Sequence, residues 1–218
     1  MPDILLYALV IILAYLLGSI PVGLFVVRAI TGEDIRDVGS GRTGGTNAMR
    51  AAGLKAFVLT GVGDMLKAIL AVNVARLLVG TNVAPLVEAF CAMAAVAGHN
   101  WSVFIGFRGG AGAMANIGAA MALWPLAGPI AVTVLLFVMI VTGYASVATT
   151  LSGVTVAIVF TIRHVVVGAP VAPFAYPVYS FVALALIAIA LLPNYKRLFE
   201  GSERRVGPRA KAATNGSD

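Results

Sequence analysis

The chain has 218 residues, of which 60% are hydrophobic and 11% charged, with a mean hydropathy of +0.98 and a formal net charge of +6. Soluble domains carry roughly 25% charged residues; this composition therefore excludes a water-soluble globular protein and implies one membrane domain with no room for a second folded unit. The basic residues lie in loops between apolar runs and toward the C-terminus, which suits anionic lipid and anionic substrates rather than nucleic acid. One cysteine, Cys91, and two histidines, His99 and His164, supply neither a disulfide framework nor the usual nitrogen and sulfur ligands of a metal site.

In chain order, the apolar runs predict an all-α polytopic membrane protein with about seven transmembrane helices, five or six being the alternative count, over residues 4–27, 56–79, 84–97, 113–123, 129–144, 146–162 and 174–192. The first run follows Asp3 instead of a basic stretch and continues to Val27, so it reads as a spanning helix and not a cleaved signal. The middle four are short or poorly separated, as helices tilted or broken around a buried site would be. Residues 1–207 form the expected single transmembrane domain, and the polar residues 208–218 a disordered tail. Arg28, Arg36, Arg42, Arg50, Lys55, Arg108, Lys196, Arg197, Arg204, Arg205, Arg209 and Lys211 share one face when the number of spans is odd. Little beyond Arg76 and Arg163 falls on the other, which puts the basic face in the cytoplasm and the N-terminus outside.

Three polar clusters fall on that basic face. Gly39-Ser40-Gly41-Arg42-Thr43-Gly44-Gly45-Thr46-Asn47 is followed by Arg50 and Gly53. Its glycines let a backbone come close to a ligand, its hydroxyls add donors, and Arg50 can fork onto a phosphate; a plain connecting loop is the alternative. Gly98-His99-Asn100-Trp101 leads through Phe107 and Arg108 to Gly109-Gly110-Ala111-Gly112 before an apolar run, the layout of an anion-binding loop feeding a helix N-terminus. In that cluster His99 reads either as a base or as a structural hydrogen-bond partner. The third cluster is Asn194, Arg197, Gly201 and Glu203, which composition alone reads as a juxtamembrane anchor. Asp64 and Lys67, three residues apart within the second run, are ionisable groups at membrane depth: functional, or a pair that ties helices together.

The residues resemble those of the bacterial membrane acyltransferases that move an acyl chain from acyl phosphate to glycerol 3-phosphate, the PlsY family, over roughly residues 17–203. Gly18-Ser19-Ile20-Pro21-Val22-Gly23, the Ser40 cluster with Arg50, Asp64 with Lys67, the His99-to-Gly112 cluster, and Asn194 with Arg197, Gly201 and Glu203 match its motifs in order and spacing. The resemblance implies a seven-span fold with three cytoplasmic motifs around one site in a bacterial inner membrane. Its catalytic residues would be Ser40, Arg50, His99, Asn194 and Glu203, and its phosphate-binding residues Gly39, Gly41, Arg42, Thr46, Asn47, Arg108, Gly109, Gly110, Gly112, Arg197 and Gly201, with phosphate held by glycine N–H groups of the second motif. It further implies lysophosphatidic acid as product, no cofactor, no metal, and an upstream acyl-phosphate-forming enzyme.

Four positions depart from the family pattern: Ala111 replaces a lysine, Ala115 a threonine, Arg42 an asparagine, and Leu191 a histidine. Losing one hydrogen bond to a charged group costs about 1.5–3 kcal/mol, roughly tenfold to a hundredfold in rate. An inactive or substrate-altered member of the family, and a small-anion transporter built on broken helices, are the alternative readings.

Overall fold

The computed structural model describes residues 2–80 and 84–206; the expected tail at 208–218 and residues 81–83 lie outside these. Among the described residues every long element is α-helical. Helix α1 (Pro2–Ser19) stops at Ile20–Pro21, where proline cannot donate to the preceding turn, and α2 (Val22–Thr31) continues the column. Then follow α3 (Gly45–Val79), α4 (Pro85–Asn100), α5 (Ala113–Leu123), α6 (Ala127–Thr142), α7 (Ala145–Val167) and α8 (Ala175–Phe199). With α1 and α2 forming one column, all seven expected segments are helices. Ile4–Thr31, Gly45–Val79, Ala145–Val167 and Ala175–Phe199 are each long and apolar enough to cross a membrane.

Small residues set the packing. A Cβ on Gly18 would run into the carbonyl of Ala95, and one on Gly98 into that of Tyr15, so α1 and α4 touch backbone to backbone. The core between the helices is mostly alanine and valine, while leucine, isoleucine and phenylalanine dominate the outward faces, as expected where the surroundings are lipid.

Two departures from a simple bundle position the site. Helix α3 is two helices joined at a reversal, Ala52 (φ −142°, ψ 18°) and Gly53 (φ 77°, ψ −169°), the second a conformation open essentially to glycine. The expected span from residue 56 is the second of these helices. The first folds back against it, with Gly45 lying beside the backbone of Phe57 and the Thr43 carbonyl against Gly23 of α2. The first polar loop is thereby sunk to the level of Phe57–Thr60. Helix α5 has 11 residues, about 16 Å at 1.5 Å per residue, roughly half the hydrocarbon thickness. Its N-terminus therefore begins at membrane depth, and the irregular backbone before it is tolerable because it lines a cavity.

At the opposite end, Arg76 is the centre of a second polar cluster. Arg76 donates to Glu88 (2.6 Å), to Asn73 Oδ1 (3.2 Å) and to the Ala122 carbonyl (2.9 Å), and Tyr176 donates to the second Glu88 oxygen. This cluster ties α3, α4, α5 and α8 together.

Candidate active site

Asn47 builds the first loop. Its side-chain amide donates to the carbonyls of Ile35 (3.0 Å), Val38 (2.9 Å) and Arg42 (2.9 Å), and its Oδ1 accepts from the Ser40 N–H (3.1 Å). Gly39 is bound into the same knot: a Cβ there would strike Asn47 Oδ1 and sit 3.2 Å from Arg50 Cδ. Expected to bind phosphate, Asn47 instead has its polar atoms taken up by the loop's own backbone.

The second loop is closed in a similar way. Gly109 N–H donates to the Asn100 carbonyl (3.1 Å) and Gly110 N–H to that of His99 (2.9 Å). These two N–H groups, expected to hold phosphate, are occupied by the C-terminal carbonyls of α4, which the helix itself leaves without partners. The Gly110 carbonyl accepts from Arg42 Nη1 (3.3 Å), and Arg42 Nη2 donates to the Ala190 carbonyl of α8, so one guanidinium bridges three elements. Burial, and then the neighbouring Arg197, press Arg42 below its ordinary pKa; the guanidinium nonetheless stays charged.

His99 is buried between Asp64 and Gly110. Its Nδ1 lies 3.3 Å from Asp64 Oδ1 but outside hydrogen-bond geometry, and a Cβ on Gly110 would collide with its Nε2. Asp64 pairs with Lys67 (2.9 Å), whose ammonium also donates to the Ile20 carbonyl at the α1–α2 break (2.7 Å). The Asp64–Lys67 pair is thus internally satisfied and links that break to the second loop.

At the end of α8 the chain turns through Gly201 (φ 70°), and the Glu203 N–H donates to the Arg197 carbonyl (3.0 Å). The Glu203 carboxylate accepts from Asn194 Nδ2 (3.1 Å) and from Ser146 Oγ on α7 (2.6 Å), and Arg50 makes a long contact with the Arg204 carbonyl (3.4 Å).

These pieces enclose a cavity of about 470 Å³ whose lining includes Ser40, Arg42, Thr46, Arg50, His99, Gly112, Asn194, Arg197 and Glu203. First-turn residues of α3, α5 and α7 also line it, and none of those three helices has a side-chain cap at its N-terminus. Three uncapped N-termini carry partial positive charge. Four arginines (42, 50, 197 and 204) stand around Glu203 and the already paired Asp64. The arrangement is suited to a small phosphorylated anion. The other wall, including Phe57, Val58, Val62, Met114, Leu135, Leu136 and Met139, is apolar.

Of the expected residues, Arg108 does not line the cavity: it is exposed on the outer side of the second loop. Gly41, Gly109, Gly110 and Gly201 shape loops behind the wall. Sequence reasoning missed Ser146 and Thr149, hydroxyls in an apolar run that carry no local sign of facing a site.

The sequence profile described as Glycerol-3-phosphate acyltransferase matches residues 8–201. The chain belongs to this family of acyltransferases. It is 39% identical to the glycerol-3-phosphate acyltransferase of Rubrobacter xylanophilus over 206 residues, covering 94% of this chain and 98% of that one. It is 36% identical to glycerol-3-phosphate acyltransferase 2 of Moorella thermoacetica, covering 94% and 100%. The glycerol 3-phosphate form of PlsY (YgiH), an integral membrane glycerol 3-phosphate acyltransferase, superposes with a TM-score of 0.79 at 33% identity, covering 92% of this chain and 96% of that one. The lysophosphatidic acid form gives 0.77 at 31%, covering 92% and 95%. The acyltransferase is therefore a membrane enzyme whose cationic cavity meets an apolar wall within one bundle.

Proposed function

We propose that the enzyme transfers a fatty acyl group from acyl phosphate to the sn-1 hydroxyl of glycerol 3-phosphate. The hydroxyl oxygen attacks the acyl carbonyl carbon, the bond from that carbon to the phosphate oxygen breaks, and lysophosphatidic acid and inorganic phosphate result. The hydroxyl proton passes to phosphate, either the departing one or that of the acceptor. Acyl phosphate is already activated, so positioning and charge stabilisation supply the catalysis. Arg42, Arg50, Arg197 and the N-termini of α3, α5 and α7 hold the two phosphates. Ser40, Asn194 and Glu203 orient the acceptor.

One observation carries this reading: the cationic cavity runs directly into an apolar wall that opens to lipid. Val58, Val62 and Leu136 both line the cavity and are 48%, 42% and 39% exposed. The short α5 packs on both α3 and α6, and an acyl chain would lie along that seam. An anion transporter would need a path to the opposite end, yet none of Arg76, Glu88 or Tyr176 lines this cavity. The distribution of lysine and arginine supports a site that faces the cytoplasm, and the likeness to bacterial relatives supports a bacterial inner membrane, where a separate enzyme would form the acyl phosphate.

The direct test is phosphate release from palmitoyl phosphate by purified protein with and without glycerol 3-phosphate. Release that depends on the acceptor and disappears in Arg50→Ala is expected; no release from folded, monodisperse protein would overturn the proposal.

A further inference from the structure

Glu203 stands among three arginines of the cavity and pairs with none of them. Its own N–H donates to the Arg197 carbonyl (3.0 Å), Arg204 follows it in the chain, and the Arg50 guanidinium contacts the Arg204 carbonyl (3.4 Å). Among the described residues, no arginine forms an ion pair with the Glu203 carboxylate. A guanidinium is the stronger partner for a carboxylate, because it can fork onto both oxygens with charge on each side. Here both oxygens are held by neutral donors instead, one by Asn194 Nδ2 (3.1 Å) and the other by Ser146 Oγ (2.6 Å). Asn194 belongs to α8, which leads into Glu203, whereas Ser146 reaches it from the first turn of α7 and is fully buried. The Ser146 contact therefore fixes where the carboxylate sits relative to a separate element, without adding a charge to the site.

We infer that Ser146 is a positioning residue that holds the Glu203 carboxylate away from Arg50, Arg197 and Arg204, and so keeps those guanidinium groups open to substrate phosphate. The inference rests on the phosphate roles proposed above for Arg50 and Arg197, and adds the residue that shields them from the protein's own anion. Without the Ser146 hydroxyl, one carboxylate oxygen loses its partner. Leaving it unsatisfied in a buried place is costly, so the side chain turns to a neighbouring guanidinium. The site then contains an internal competitor for phosphate. A site closed in this way about nine-tenths of the time binds its ligand about tenfold more weakly.

The test is the Kd for glycerol 3-phosphate, by titration calorimetry, of the unmodified protein, Ser146→Ala, Glu203→Gln and the variant carrying both changes. Ser146→Ala is expected to raise Kd about tenfold. A glutamine carries no charge to compete with phosphate, so the variant with both changes is expected to bind more tightly than Ser146→Ala and within about threefold of Glu203→Gln alone. If Ser146 only fastened the chain after α8, the variant with both changes would bind as weakly as Ser146→Ala or more weakly. That result, an unchanged Kd in Ser146→Ala, or no binding by the unmodified protein overturns the inference. Should Ser146→Ala not fold, Ser146→Cys, a weaker donor of similar shape, takes its place. Should Glu203→Gln not fold, phenylglyoxal modification mapped by mass spectrometry replaces it. At least one of Arg50, Arg197 and Arg204 is then expected to react more slowly in the Ser146 variant, and equal or faster reaction at all three overturns the inference. Kd is read without an acyl donor, so a failure of the acyl-phosphate reading, seen as no turnover of palmitoyl phosphate by the unmodified protein, is distinguished from a failure of this one.

Discussion

Two cations compete for the part of the lysine absent at Ala111, and the site separates them. Arg42 reaches the Gly110 and Ala190 carbonyls from within the cavity, whereas Arg108 is exposed outside it. Arg42→Ala removes a half-buried charge-assisted contact set and is expected to lower kcat/KM for glycerol 3-phosphate roughly tenfold to a hundredfold. Arg108→Ala is expected to stay within about threefold of the unmodified enzyme, as a solvated group distant from the reacting atoms should. Steady-state kinetics on both variants decide the matter, and the reverse ranking would assign the phosphate contact to Arg108. His99, expected from sequence as a catalytic residue, has its two ring nitrogens facing Asp64 and Gly110, so its geometry fits a residue that seats the second loop. His99→Gln is expected to raise KM for glycerol 3-phosphate while retaining turnover. Turnover abolished with acceptor binding intact would make His99 the base.

Among the elements, α3 has the most consequence for the site. The reversal at Ala52–Gly53 lets residues 45–51 fold back so that the N-terminus at Gly45 points into the cavity from membrane depth. Gly53→Ala places a Cβ in a region that costs of order 1–3 kcal/mol. The variant should show a lowered Tm together with lost acceptor binding, because straightening α3 would withdraw the first loop; an unchanged Tm would show that the reversal tolerates a side chain. At the other margin, Glu203 fastens the chain after α8 onto Ser146 at the start of α7, making the third motif one wall of a site assembled from helices far apart in sequence.

Across the whole molecule, two polar clusters stand at opposite ends of the helix bundle. Four arginines line the cavity at one end, and the Arg76–Glu88–Tyr176 cluster binds four helices at the other. Removing one partner of a buried ion pair costs about 3–5 kcal/mol, to be discounted here because the Arg76 side chain is 32% exposed. Glu88→Ala is expected to lower the thermal midpoint in detergent while leaving kcat/KM per folded molecule unchanged. Loss of specific activity in a stable Glu88→Ala protein would show that the two ends are coupled.

Hydrophobic run length depends only on neighbours in the chain, and it was enough to establish the membrane class and the order of the helices, while the short middle runs left their number open between five and seven. The motifs with their glycines and arginines were legible for the same reason, and their spacing pointed to the family. Which atoms are free to meet a ligand was not legible. Asn47 and the Gly109 and Gly110 N–H groups carry the right chemistry, yet the folded backbone occupies them. Ser146, the displaced Arg108 and the Arg76–Glu88 pair likewise took their places only when distant segments met. A hydrogen bond is decided by distances of a few ångströms between groups that the chain separates by as many as 154 residues. Apolar periodicity encodes where a segment sits in the bilayer, but not which of its polar atoms the neighbouring segments will claim.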